Sequence, residues 1–207
     1  MYKAVAFDVD GTLVKEVSSW LTVHEKFETK DKARTNLKLY ENGKIDYSEF
    51  MKRDIGLWPH PLHINQIDEI LSGYNLDPSA KLIVHQLKQK KYNVVLVSAG
   101  IDLLVKKVAQ DLGISDFRAN GLEVDIENKL TGNGVYRVDL LRKDKALIEI
   151  LESINCKPEE CVSVGDSKYD KTMLEYSGCA IALGSGEHTE KADHQISDLS
   201  EIMKILK

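Results

Sequence analysis

Four short apolar runs punctuate the chain, and each ends in glycine or in small polar or acidic residues. Ala4-Val5-Ala6-Phe7 leads into Asp8-Val9-Asp10-Gly11, and Asn93 to Val97 leads into Ser98-Ala99-Gly100. Cys161 to Val164 leads into Gly165-Asp166, and Ala180 to Leu183 leads into Gly184. Runs so short and so apolar predict buried strands, each followed by a turn. Helical stripes lie between them: Leu82, Ile83 and Leu87; Leu104, Val105, Val108 and Leu112; and Ala146, Leu147, Ile150, Leu151 and Ile154. Strands alternating with amphipathic helices predict an α/β fold, with βαβ units and a parallel sheet covered on both faces. Leu122 to Val138 departs from this rhythm. It alternates and carries Asn128-Lys129 and Gly132-Asn133-Gly134, which predicts a β-hairpin.

Residues 15–75 also depart from it. They are polar and helical in pattern, with Trp20, Phe27, Leu37, Phe50 and Trp58 as scattered apolar anchors and Pro59 and Pro61 as interruptions. A stretch of roughly 60 residues is too long for a plain loop in a compact domain. The expected organisation is an α/β core of residues 1–14 and 76–207, with a small helical cap domain, residues 15–75, inserted after the first strand and lying over the strand ends.

The chain has 207 residues, of which 43% are apolar and 29% charged, and a net charge of −5. An acidic balance gives no basic face for a nucleic acid, so no nucleic-acid partner is expected. No window approaches the roughly 18 apolar residues of a membrane helix, and no basic region followed by a long apolar run opens the chain, so no membrane partner is expected. Cys156, Cys161 and Cys179 are odd in number and lack a CxxC spacing. They read as reduced, buried thiols, which points to a cytoplasmic protein. Neither charge nor length bears on oligomeric state.

The chemistry gathers at the strand ends, where open α/β sheets bind ligands. A carboxylate can attack phosphorus if its charge is neutralised, and Asp8 is placed for that. Asp10, two residues on, can protonate a leaving alcohol and then activate water. Asp166 and Asp170, in Gly165-Asp166-Ser167-Lys168-Tyr169-Asp170, can help hold Mg2+, a hard cation that takes oxygen ligands. Thr12 and Ser98 offer hydroxyls, and the turns around Gly11 and Ala99-Gly100 expose backbone N–H groups to phosphate oxygens. Lys143 can neutralise Asp8 and the transferring group. Each motif also has a purely structural reading: a solvated turn for Asp8-Val9-Asp10, a helix cap for Ser98, a capping box for Ser167-x-x-Asp170, and a solvated lysine for Lys143, with Lys145 as its rival.

Together, Asp8-Val9-Asp10-Gly11-Thr12-Leu13-Val14, Ser98-Ala99-Gly100, Lys143 and Gly165-Asp166-Ser167-x-x-Asp170 resemble the four motifs of the haloacid dehalogenase superfamily. Within it the chain is similar to the phosphoserine phosphatases, in Ser98-Ala99-Gly100-Ile101-Asp102, Ala119-Asn120-Gly121-Leu122, Lys129-Leu130-Thr131-Gly132, Lys191-Ala192-Asp193 and, in the cap, Gly43-Lys44-Ile45-Asp46-Tyr47. The resemblance implies a Rossmann-like core with a helical cap inserted after the first motif, and a Mg2+-dependent hydrolase of a small phosphorylated metabolite. In it Asp8 is the nucleophile and Asp10 the acid and base, and Ser98 and Lys143 bind phosphate. Asp166 binds metal with the Asp8 side chain and the Asp10 carbonyl. Three positions depart from the pattern. Val17 stands where those phosphatases place a glutamate for the substrate ammonium, and Lys52, beside Arg53, stands for their carboxylate-binding arginine. Tyr169 stands where their last motif has asparagine. Val17, Lys52 and Arg53 are therefore the expected specificity positions, and serine specificity does not follow.

Two other chemistries share an aspartyl-phosphate: a phosphomutase or phosphotransferase, whose acceptor replaces water, and a receiver-like signalling domain, whose phospho-aspartate persists. Asp10 and the long insert weigh against the second. His60-x-x-His63 reads as surface histidines because Pro59 and Pro61 disfavour a regular helix there. Trp20 and Trp58 read as packing residues of the cap.

Overall fold

In the computed structural model, which describes residues 1–15 and 18–206, the apolar run Ala4–Phe7 is strand β1, buried at every position. Four helices follow it: α1 (Ser19–Lys26), α2 (Lys30–Glu41), α3 (Tyr47–Ile55) and α4 (Ile64–Ile70). The chain returns through α5 (Ala80–Gln89) to β2 (Asn93–Ile101), α6 (Asp102–Leu112), β3 (Asp116–Val124) and β4 (Leu130–Val135). It ends with α7 (Lys143–Ser153), β5 (Cys161–Gly165), α8 (Lys171–Tyr176), β6 (Cys179–Leu183), β7 (His194–Ile196) and α9 (Ile202–Ile205). The strands form one sheet in the order β4-β3-β2-β1-β5-β6-β7. β1 lies parallel between β2 and β5, with Phe7 opposite both Leu96 and Val164. A parallel strand with neighbours on both edges and helices on both faces has no polar side, which is why β1 is apolar throughout.

The chain leaves β1 for strands on opposite sides of it. That makes the carboxyl ends of β1 and β5 a topological switch point, where a crevice opens. One apolar cluster runs from the sheet residues Phe7 and Leu96 into the inserted helices through Trp20, Tyr47, Phe50 and Trp58.

Local signals explain the inserted helices. Ser18 Oγ accepts from the Leu21 N–H to start α1, and the Asp46 carboxylate accepts from the Glu49 N–H to start α3. His63 caps α4, its Nδ1 accepting from the Asn65 N–H, so the His60-x-x-His63 spacing serves a helix start.

Three details differ from the sequence pattern. Leu82 is 59% exposed while Val84 is buried, so α5 is rotated relative to the expected stripe. The hairpin strand begins at Asp116. Its first half pairs parallel with β2 and its second half antiparallel with β4. β7 carried no apolar run to announce it; only Ile196 of its three residues is buried. Cys156, Cys161 and Cys179 are buried and unpaired, and burial pushes the Cys161 thiol up to about 12. No helix among the described residues is long and apolar enough to cross a membrane.

Candidate active site

The backbone delivers Asp8 one residue past the end of β1, where its N–H still donates to Val164 O of β5. Its carboxylate is buried, and Lys143 Nζ lies 2.6 Å from Asp8 Oδ1 and 2.6 Å from Asp170 Oδ1. Lys143 is the first residue of α7, where a cation opposes the helix dipole; the two carboxylates compensate. Burial pulls the Lys143 ammonium toward its neutral form, but Asp170 and Asp8 outweigh burial and hold it above the ordinary lysine range. Thr12 Oγ lies 3.3 Å from Asp8 Oδ2 and 3.1 Å from Asp166 Oδ1, so its single proton is shared between two carboxylates. Asp8, Asp166 and Asp170 thus bring oxygens within 4.8 Å of one another.

Three carboxylates around one buried ammonium leave surplus negative charge, and their acidities register it. Burial holds the Asp8 carboxyl well above the usual range against the pull of Lys143, and Asp170 and Asp166 push it the same way. Burial, then the charge of Asp170, pushes Asp166 up to about 6. A hard divalent cation fits this donor set. The turn at Gly11 makes the cluster this tight: Gly11 has φ +92°, and a β-carbon there would collide with the Asp166 carboxylate. Asp170 plays a distinct part within the cluster. Its Oδ1 takes Lys143, and its Oδ2 accepts from the Asp166 N–H, the Ser167 N–H and the Ser167 hydroxyl. The capping arrangement and the charge cluster are therefore the same structure: Asp170 fixes the acidic turn and aims the lysine.

The Ser98-Ala99-Gly100 segment leaves the β2–β3 ladder. Val97 pairs with Arg118 and Ile101 with Asn120, so the three residues bulge opposite one. The bulge brings Gly100 up against Asp10. The Ala99 carbonyl gathers three donors, Trp20 Nε1 at 3.1 Å, Tyr47 OH at 3.0 Å and Asn120 Nδ2 at 3.0 Å. Asn120, wholly buried, also donates to Val138 O and accepts from the Arg137 and Val138 N–H groups. Ser98 is no helix cap; its Oγ accepts from the Gly100 N–H. Asp10 is oriented from the insert. Ser19 Oγ donates to Asp10 Oδ2 at 2.9 Å and accepts from the Ile101 N–H at 2.9 Å. Gly100 must lack a side chain, since a β-carbon there would strike both Asp10 and Ser19.

These groups floor a cavity of about 290 Å³ between the strand ends and the inserted helices. Asp8, Asp10, Ser98, Ala99, Gly100 and Lys143 all line it. Thr12 does not line it; its hydroxyl is spent on the carboxylates. Of the expected specificity positions, Val17 lies outside the described residues. Lys52 and Arg53 do not line the cavity: both are exposed, and Arg53 pairs with Glu49. On α3 it is Tyr47, Phe50 and Asp54 that face inward, and their three- and four-residue spacing was the available signal. Ser19 and Trp20, which fix Asp10 and Ala99, lacked such a signal. Tyr169 lines the cavity wall and donates to Glu41 at 2.8 Å, and Lys168 Nζ meets the same carboxylate at 2.7 Å, tying the end of α2 to the acidic turn.

The comparisons with known proteins agree with this geometry. The haloacid dehalogenase-like hydrolase family matches residues 2–178. The phosphoserine phosphatase of Methanocaldococcus jannaschii is 30% identical over 212 residues, covering 99% of this chain and 98% of that protein. That of Archaeoglobus fulgidus is 30% identical over 188 residues, but this chain spans only 53% of its length. A solved phospho-aspartyl intermediate analogue of a phosphoserine phosphatase superposes with a TM-score of 0.84 at 28% identity, covering 100% of this chain and 99% of that one. A substrate-bound phosphoserine phosphatase superposes with the same TM-score of 0.84 at 27% identity, again over 100% of this chain and 99% of that one. With its fold, its strand-end carboxylates and these relatives in agreement, the chain belongs to the haloacid dehalogenase-like hydrolases and is phosphoserine phosphatase-like.

Proposed function

We propose that this chain is a Mg2+-dependent phosphomonoester hydrolase that acts on a small phosphorylated metabolite through an aspartyl-phosphate on Asp8. The observation that carries the reading is the Asp8 carboxylate itself. It is buried at a strand end, fixed by Lys143 and Thr12, and faces a cavity that Asp10 also lines. An Asp8 oxygen forms the bond to phosphorus as the bond to the alcohol oxygen breaks. Asp10, aimed by Ser19, gives its proton to that oxygen and then removes one from the water that attacks the acyl-phosphate. The Ser98 hydroxyl, the backbone N–H groups of the bulge and the Lys143 ammonium bind phosphate oxygens and offset their charge. Asp8 and Asp166, with the Asp10 carbonyl, would hold Mg2+; when bound, the cation keeps the carboxylates ionised and balances charge on the transferring group. Residues 15–75 act as a cap over a core of 1–14 and 76–207, closing the cavity to water.

The test is phosphate release from a generic aryl phosphate with and without Mg2+, with Asp8→Asn as the control. Turnover that requires Mg2+ and Asp8 supports the reading, and isotope-labelled water appearing in the released phosphate identifies water as the acceptor. No turnover across phosphorylated amino acids, sugars, glycolate and nucleotides would remove it.

A further inference from the structure

The far side of the cavity has a character of its own. Trp20, Leu21, Leu37, Tyr47, Phe50 and Leu140 give it an apolar, largely aromatic wall. Its aromatic donors are already committed to the protein. The Trp20 N–H and the Tyr47 hydroxyl both donate to the Ala99 carbonyl. His24 and Asp54, which also line the cavity, are paired at 3.2 Å and are both buried. Trp58 Nε1 donates to His24 Nδ1 at 3.2 Å. An indole N–H can only donate, so Nδ1 is an acceptor and the ring proton sits on Nε2, facing Asp54. Asn36 Nδ2 donates to the other Asp54 oxygen at 2.8 Å. Among the described residues, the wall therefore carries one buried carboxylate. The cation that lines this side among the described residues is Arg34, which is exposed and turned toward Asp31 at 3.2 Å.

We propose that the cavity selects phosphomonoesters whose alcohol has a flat apolar body and no carboxylate, with Phe50 and Trp20 receiving that body and Asp54 rejecting acidic leaving groups. This rests on the hydrolase reading above and deepens it. Among the described residues, a carboxylate placed against this wall loses its water, finds the Trp20 and Tyr47 donors already engaged and faces Asp54, whereas an apolar ring gains from the same desolvation. A free amino acid such as serine is the wrong shape of charge for the site, and the aromatic wall suits a phenyl-sized group.

The test uses four alkyl phosphates with Mg2+: methyl phosphate, benzyl phosphate, O-phosphoethanolamine and O-phospho-L-serine. Benzyl phosphate should exceed methyl phosphate in kcat/KM by about tenfold or more. Phosphoserine, which differs from phosphoethanolamine by the carboxylate, should fall below it by about tenfold or more. Phe50→Ala should narrow the first ratio and Asp54→Asn the second; if either variant fails to fold, the two wild-type ratios decide alone. Phosphoserine equal to or better than phosphoethanolamine, or methyl phosphate equal to benzyl phosphate, overturns the selectivity and leaves the hydrolase standing. Turnover of none of the four, nor of an aryl phosphate, removes both.

Discussion

Replacing Lys143 with methionine takes the buried ammonium out of the acidic cluster and leaves its aliphatic bulk. Lys143 Nζ sits 2.6 Å from one oxygen of Asp8 and 2.6 Å from one of Asp170. At an effective dielectric of about 20, each pair has a gross attraction of about 6 kcal/mol, much of it offset by the cost of burying the charges. Breaking a buried pair by deleting one partner costs about 3–5 kcal/mol, because the other partner stays buried and unbalanced. The loss should appear in full near neutral pH. A lysine whose folded acidity constant lies above its unfolded value contributes stability throughout the range below the unfolded value, and loses it only as pH rises through the folded one. The deficit should shrink as pH falls, because the Asp8 carboxyl, which burial already holds above the usual range, takes up a proton and no longer needs the cation. Urea denaturation of metal-free protein at about pH 8 and about pH 5 measures both ends. Adding Asp8→Asn to the variant should recover part of the loss, since it removes one of the stranded charges. A Lys143→Met protein within about 1 kcal/mol of wild type at about pH 8, or a deficit that ignores pH, would refute the electrostatic account.

Further outcomes follow from other contacts. Asn120→Ala strips donors and acceptors from Ala99, Val138, Arg137 and Tyr47 at once; thermal or urea unfolding should show a loss of about 3 kcal/mol or more, with activity falling alongside. Mg2+ affinity should weaken as pH drops through about 6, where Asp166 takes a proton, by about tenfold per pH unit or more, and calorimetric titration reads it. The same raised acidity constant means that Asp166 contributes stability to the metal-free protein at low pH and loses it as pH rises through about 6. Asp166→Asn should abolish that change, seen as a flatter pH-stability curve. Glu41→Gln weakens the contacts of α2 with Lys168 and Tyr169; being partly exposed, they should be worth less than about 1 kcal/mol of stability, and the effect should appear as a raised KM.

The sequence was most informative where burial is complete on both faces. β1, β2, β5 and β6 read as apolar runs because a covered parallel strand has no polar side to interrupt the pattern. β7 stayed silent because His194 and Gln195 are exposed. Leu82 misled because one apolar residue beside a true stripe carries no phase information. The polar groups at the strand ends were legible for a related reason: turns after buried strands leave few places for Asp8, Ser98 and Asp166 to go. The far wall of the cavity was not legible. Which face of α1 or α3 turns inward depends on how those helices dock, so the neighbours Lys52 and Arg53 stood out while Asp54 did the lining. The partnership of His24 with Asp54 spans two helices and leaves no local trace. The bulge that aims Ala99 depends on the register between β2 and β3, which no single strand encodes.

The most direct test of the account is to trap the acyl-phosphate. Protein quenched during turnover and reduced with borohydride converts an aspartyl-phosphate to homoserine, which peptide mass spectrometry can place. The account predicts homoserine at position 8, dependent on substrate and Mg2+ and absent from Asp8→Asn. Steady phosphate release with position 8 unmodified, or with the label on another carboxylate, would contradict it.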